Sequence, residues 1–239
     1  MPTSSMDSRV AVGLLNASGY ARGFSVTSTM EALDVTTLVD RSKAFIVGQN
    51  ESQASIDMLL DTVGTADLQY DALQDMKGAG AFPMTLGVEG FTALDPVVLL
   101  NGHFTNITHS SSNSDVVTAS AASQSTGNTD LGVALEDFTA ISADGNGTAR
   151  DLTAASSAGG VAHLHVTAFS GLTNNIVTIE HSVDGATSWS TLVTFATYTG
   201  VTSERVEVAP GTTIRRYLRV VDNVTGTGST TRAVFFARR

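Results

Sequence analysis

Cysteine is absent from these 239 residues, which removes disulfides, thiolate nucleophiles and cysteine-ligated metals together. Stability must then come from packing and assembly. Charged residues are scarce at 15%, and there are only 4 prolines and 1 tryptophan. No apolar run reaches the roughly 18 residues of a membrane helix, so no membrane contact is expected. The start, MPTSSMDSRVAVGLLNASGY, lacks a basic stretch ahead of an apolar core and does not read as a secretory signal. Also missing are a G-x-S-x-G elbow, an H-E-x-x-H pair, a phosphate loop and a dinucleotide fingerprint. Carboxylates such as Asp57 and Asp61, or Asp71 and Asp75, read as solvated side chains. The expectation is no enzyme, no catalytic residue, no cofactor and no metal.

What is present is Ser, Thr, Gly and Ala in quantity, a mixture that favours β-structure with many turns. The acid is unevenly spread: residues 1–135 carry five Lys or Arg against fourteen Asp or Glu, and residues 136–239 carry eight against nine. Nucleic-acid binders cluster Lys and Arg to neutralise phosphate, and the first half does the opposite. Such a surface does not hold DNA, although a channel through which DNA slides gains from an anionic wall. Charge kept for solubility alone reads equally well.

Gly19 to Asp61 reads as two long strands joined by an oversized polar arm. Phe24, Val26 and Ser28 alternate with Gly23, Ser25 and Thr27, and Phe45, Val47, Gln53, Ser55 and Asp57 continue the period of two. Between them Glu31 to Lys43 carries Leu33, Val35, Leu38 and Val39 among charges. A connection of that length either reaches a neighbouring subunit or folds back on its own domain.

Residues 1–20 predict a flexible start and a short strand at Val10–Leu15. ADLQYDALQDMKGAG places Leu68, Ala72, Leu73 and Met76 at helical spacing, with Asp67 as cap and Gly78 as stop. Strands are predicted at Phe82–Val88, Pro96–Leu100, His103–Thr108 and Val116–Ala122. A small-residue passage from Asp137 to Gly160 places a domain boundary at 136/137. Beyond it, strands at Val161–Phe169, Ile176–Ser182, Ser190–Phe195, Ser203–Val208, Ile214–Val221 and Thr231–Ala237 have the spacing of a sandwich. Val177, Ile179, His181 and Val183 share one face of the second, expected to be the buried one, and Asp184-Gly185 and Pro210-Gly211 are turn signals. Trp189 reads as a core or loop-edge anchor.

His163 and His165 share a strand face without a third ligand in view, and read as two solvent-facing imidazoles. Asp144-Gly-Asn146-Gly-Thr148 begins like a calcium loop but has Ala155 where the bidentate Glu belongs, so it reads as a turn. Arg215 and Arg219 share a strand face and offer a possible docking edge for an acidic neighbour. Ordinary exposed arginines are the alternative.

The order of strand, DVTTLVDRSKAFIVG, strand and DMLLD is similar to that of the tail tube (major tail) proteins of long flexible-tailed phages. Asp34, Val35, Thr36, Thr37, Leu38, Asp40 and Ser42 carry the match, with Val39 where Gly is common in that family and Gly48 fitting a later glycine. The likeness covers about the first 135 residues. It implies a mainly β fold: a tail-tube-like sandwich or barrel with one α-helix (1–136), followed by an outward-facing antiparallel sandwich (137–239). It further implies a structural virion protein, made in the bacterial host cytoplasm, that stacks rings into the tail tube through which DNA is ejected. Six copies per ring, or three with a duplicated fold, would be joined by an arm of Leu33, Asp34, Val35, Thr36, Thr37, Leu38, Val39 and Phe45. Tape measure, terminator and distal tail proteins would be its partners, and double-stranded DNA would pass without being held. A head-decoration or minor tail protein, and a carbohydrate-binding adhesion module, remain as other readings.

Overall fold

The computed structural model describes residues 7–39, 41–60, 73, 76–111 and 116–239. In chain order the strands are β1 (Arg9–Val12), β2 (Leu15–Asn16), β3 (Ala21–Asp34), β4 (Phe45–Leu59), β5 (Phe82–Gly87), β6 (Pro96–Ser110) and β7 (Thr118–Ser125). They continue with β8 (Asp130–Ile141), β9 (Gly145–Asn146), β10 (Arg150–Asp151), β11 (Gly160–Ser182), β12 (Ser190–Thr194), β13 (Thr202–Val208) and β14 (Tyr217–Arg238). The mainly β expectation holds. All fourteen belong to one antiparallel sheet with a spine of β12-β11-β14-β8-β6-β5-β1-β2, and β7, β4 and β3 branch from β6. Leu73 and Met76 of the expected helix are helical and buried, and Gly78 has a φ of 79°. Leu68, Ala72 and Asp67 lie outside the described residues, as do the first six residues, Asp40, Asp61, Asp71 and Asp75.

Three pairs of expected strands are single strands. Pro96–Leu100 and His103–Thr108 are both in β6, which runs through Gly102 because only a glycine lets β7 approach: a Cβ there would lie 2.3 Å from the Gln124 carbonyl oxygen. The two pieces on either side of Ser170–Asn175 are one β11, and those on either side of Asp222–Thr230 are one β14. Their polar middles read locally as turns, yet they pair with each other, which gives most of their backbone groups partners. Register shifts near Val166, Ser170 and Leu172 mark bulges in this long pair, and each bulge changes which side chains face inward.

Burial falls into three clusters. One gathers Ala162, Leu164 and Val166 from the first half of β11 with Val177 and Ile179 from its second half, together with Phe195, Leu218, Val220, Val234 and Phe236. The β11–β14 pair therefore doubles over its own core, and the expected buried face is the inner one at Val177, Ile179 and His181, whereas Val183, placed on the same face by alternation, lies past the end of β11 and is 65% exposed. A second cluster, Val10, Ala54, Ile56, Met58, Leu73, Met84, Leu86, Leu100 and Ala121, lies wholly within the first half of the chain. The third joins Ala11, Phe91, Val97, Leu99 and Ala134 to Val161, Ala233, Phe235 and Ala237. β8 runs through residues 136 and 137 and bonds to β6 before them and to β14 on both sides. The first half of β11 and the last turns of β14 are thus buried on both faces.

Candidate functional site

β3 and β4 form a hairpin that outgrows the rest of the sheet. β4 pairs with β7 only over Gln53–Leu59, whereas it pairs with β3 from Met58 out to Phe45. Beyond the Thr27–Gln53 pair the two strands, among the described residues, pair only with each other. The eight residues Phe45–Ser52 at about 3.3 Å each give a two-stranded ribbon about 25 Å long, whose outermost pair is Asp34–Phe45. The expected arm, Glu31–Lys43, is in part strand: Glu31 to Asp34 belong to β3. The pairing continues outward because this stretch alternates well enough to hold a ladder, and the polar residues that read as loop sit on ribbon faces open to solvent.

Apolar side chains concentrate on this ribbon and its tip. Met30 is 65% exposed, Phe45 56% and Val47 73%; Ile46, Leu33 and Val35 are also exposed, and Leu38 and Val39 are almost wholly so. The tip is held in shape. The Val35 amide donates to the Ala44 carbonyl at 2.9 Å, closing the loop's base. Asp34 Oδ1 accepts from the Thr36 amide at 2.9 Å and from the Thr36 hydroxyl, and the Thr36 oxygen accepts from the Ala44 amide at 3.0 Å. These hydrogen bonds hold the Asp34 carboxyl below its ordinary pKa. Thr37 is exposed beside them. The structure thus gathers Leu33, Asp34, Val35, Thr36, Thr37, Leu38, Val39 and Phe45 on one projecting element, and adds Met30 and Ile46, which the sequence reading passed over, and Val47, which it read only as a strand position. The consecutive apolar run Phe45-Ile46-Val47 was the available signal.

The possible docking edge is differently placed. Arg219 donates twice to Glu180 Oε2, at 2.8 and 2.6 Å, and its guanidinium lies 4.3 Å from the centre of the Trp189 ring. Arg215 donates to the Ser188 carbonyl and the Ser190 hydroxyl. Both arginines have partners within the chain. Trp189 is a half-buried loop-edge anchor, with one ring face covered by Arg219 and its indole N–H donating to the Ala186 carbonyl.

Two polar groups are buried that the sequence reading left on the surface or did not mark. His163 and His165 are fully buried, not solvent-facing, because β1 and β5 cover the face that alternation alone leaves open. Thr85 Oγ1 lies 3.1 Å from His163 Nδ1 and 3.0 Å from His165 Nε2; His165 Nδ1 lies 2.8 Å from the Gly13 carbonyl oxygen, and His163 Nε2 lies 3.0 Å from an Arg205 nitrogen. Arg205 and Arg239 both bind Asp130 and Glu207. Elsewhere Arg232, 1% exposed, is clamped by Asp222 and Glu136 at the wall of a cleft of about 540 Å³. Among the described residues no group of three or more His, Asp or Glu could hold a metal. Asp144 Oδ1 accepts from the Val224 amide at 2.6 Å, and Gly145 and Asn146 pair with β14 as β9, so the calcium-like stretch is a short strand on β14 and not the expected turn.

No protein-family model matches the sequence, and no curated protein matches it. Among solved structures, a chain from the virion of a native gene transfer agent particle aligns at 14% identity over 54% of this chain and 98% of that one, with a TM-score of 0.44. The SPP1 Dit protein, described as a hub of the adsorption apparatus in phages of Gram-positive hosts, aligns at 10% identity over 96% and 98%, with a TM-score of 0.38. A chain of the phage p2 baseplate aligns at 8% over 97% and 98%, with a TM-score of 0.36. The structural neighbours are thus virion, adsorption-hub and baseplate components. At these scores and identities none of them carries a functional conclusion.

Proposed function

We propose that this chain is a structural protein of a phage virion whose copies assemble through the β3–β4 ribbon, and that the assembly is a tail tube of stacked rings. One observation carries the reading: a two-stranded ribbon about 25 Å long that exposes Met30, Leu33, Val35, Leu38, Val39, Phe45, Ile46 and Val47 and, among the described residues, pairs with no further strand. A lone hairpin is marginal in water, and a long free edge bearing apolar side chains invites pairing. Natural proteins keep such a feature where a partner covers it. The partner is a second copy, because the DVTTLVD phrase at the tip resembles the stacking arm of tail tube proteins.

In this reading residues 1–136 make the subunit contacts and residues 137–239 face outward. A head-to-tail contact repeated around a ring closes it, and repeated between rings gives a filament. The acid excess of the first half offers DNA a wall without adhesion. Asp34 and Thr36 hold the tip in one shape before docking, which lowers the ordering cost of association.

Negative-stain microscopy of the purified full chain tests the reading. Tubes of uniform width support it. Single rings that never stack would move the chain to a hub or minor tail role, and monomers at every concentration would end the assembly reading altogether.

A further inference from the structure

The buried His163–His165 pair forms a chain of hydrogen bonds whose direction can be worked out donor by donor. Arg205 has only donors, so the His163 Nε2 that faces it at 3.0 Å must be the lone-pair nitrogen. The His163 proton then sits on Nδ1 and goes to Thr85 Oγ1. At the other end the Gly13 carbonyl only accepts, so His165 carries its proton on Nδ1. Its Nε2 is therefore free to accept the Thr85 hydroxyl proton. Every donor points one way, Arg205 to His163 to Thr85 to His165 to Gly13, and every site is filled with both imidazoles neutral.

These residues come from parts of the chain far apart. Gly13 lies between β1 and β2, Thr85 on β5, both histidines on β11 and Arg205 on β13. No backbone ladder joins β1 or β5 to β11 or β13, so this polar chain spans a seam that the sheet leaves open.

We propose that the Arg205–His163–Thr85–His165–Gly13 chain is a proton-released clasp, holding β1 and β5 against β11 and β13 at neutral pH and letting go on acidification. A proton added to His163 would enter at Nε2, against the Arg205 guanidinium. One added to His165 would enter at Nε2, facing the Thr85 oxygen; Thr85 would then accept from both rings while its own proton lost its acceptor. The other charged groups nearby are Asp130 from β8, Glu207 from β13 and Arg239 after β14, which bind Arg205 or one another. Glu204 of β13 accepts the Ala196 amide, Arg9 of β1 is exposed, and β2 and β5 carry no titratable side chain. The Phe235 ring lies 5.9 Å from His165. Among the described residues no carboxylate hydrogen-bonds to either ring to stabilise an imidazolium. Burial pushes His163 well below its ordinary value, with His165 and Arg205 adding to the shift, and burial brings His165 down to about 4.

Once the seam opens, water restores both imidazoles to about 6.5. The open form then takes up more protons than the closed form at every pH below about 6.5, so closure weakens as pH falls. Between pH 7 and pH 5 the opening constant rises roughly 20-fold for each imidazole and several hundred-fold for the two together. The clasp acts within one subunit and does not depend on assembly.

Hydrogen exchange of the purified full chain at pH 7 and pH 5, corrected for the intrinsic pH dependence of exchange, tests it. The expected result is a several hundred-fold gain in opening for amides of β1, β5 and β13, with residues 176–182 of β11 and their partners on β12 little changed. The variant H163N/H165N, which keeps a side-chain donor near each Nδ1 position but cannot titrate, should lose that pH dependence. An equal gain across all strands, or the same gain in the variant, overturns the proposal. If the variant does not fold, nitrogen-15 imidazole spectra of the unaltered chain decide: two neutral rings protonated at Nδ1 at pH 5.5 support the clasp, and rings that titrate near 6.5 sink it.

Discussion

Replacing Leu38 and Val39 together by aspartate is the sharpest perturbation of the ribbon. Both side chains are almost wholly exposed in the isolated chain, so the folded monomer loses no contact and its stability should stay within about 0.5 kcal/mol. In a docked ribbon the two side chains are buried. Each then contributes about 1.5 to 3 kcal/mol, which makes the loss about 3 to 6 kcal/mol per contact. Placing carboxylates in an apolar seat adds a desolvation cost. At about 1.4 kcal/mol per factor of ten, the association constant falls by about a hundredfold to ten-thousandfold. Sedimentation velocity over a dilution series reads this directly, with urea denaturation run in parallel. The expected outcome is a variant that stays monomeric at concentrations where the unaltered chain assembles, with an unchanged unfolding midpoint. Equal assembly of the two proteins would refute the ribbon as the contact. An unfolding free energy lowered by about 2 kcal/mol or more would show that the tip packs on its own body.

Three further outcomes follow from other parts of the molecule. Arg232→Ala strands Asp222 and Glu136 without their cation in a buried site and should destabilise the fold by about 3 to 5 kcal/mol in chemical denaturation. In Gly132→Ala the added Cβ lies 2.5 Å from the Phe236 carbonyl oxygen and 2.8 Å from the Ala237 Cα. β8 must then shift off β14, costing about 1 to 3 kcal/mol, whereas Gly19→Ala, with nothing within 4 Å, serves as a near-neutral control for the same denaturation. Thr36→Val removes the hydroxyl that ties Asp34 to Ala44. It should leave monomer stability nearly unchanged and weaken assembly about fivefold, the value of about 1 kcal/mol for one hydrogen bond, as read by the same sedimentation series.

The sequence alone determined the mainly β character of the chain and the inner face that Val177, Ile179 and His181 occupy, though not the exposure of Val183 at its end. It also marked Glu31 to Lys43 as too apolar for a purely solvated loop, while leaving open whether it folds back or reaches a neighbour. Those features rest on period and composition, which are local and survive any tertiary arrangement. Only the tertiary structure decided that the polar stretches 170–175 and 222–230 are strand and not turn, since their hydrogen-bond partners are about fifty residues away. It likewise decided that the arm is a ribbon standing clear of the body, and that β8 carries the sheet past residue 136. The histidines mark the limit most clearly. Alternation places His163 and His165 opposite Ala162 and Leu164, but whether that opposite face meets water or another layer depends on where β1 and β5 fold, and nothing within a few residues of a strand encodes that.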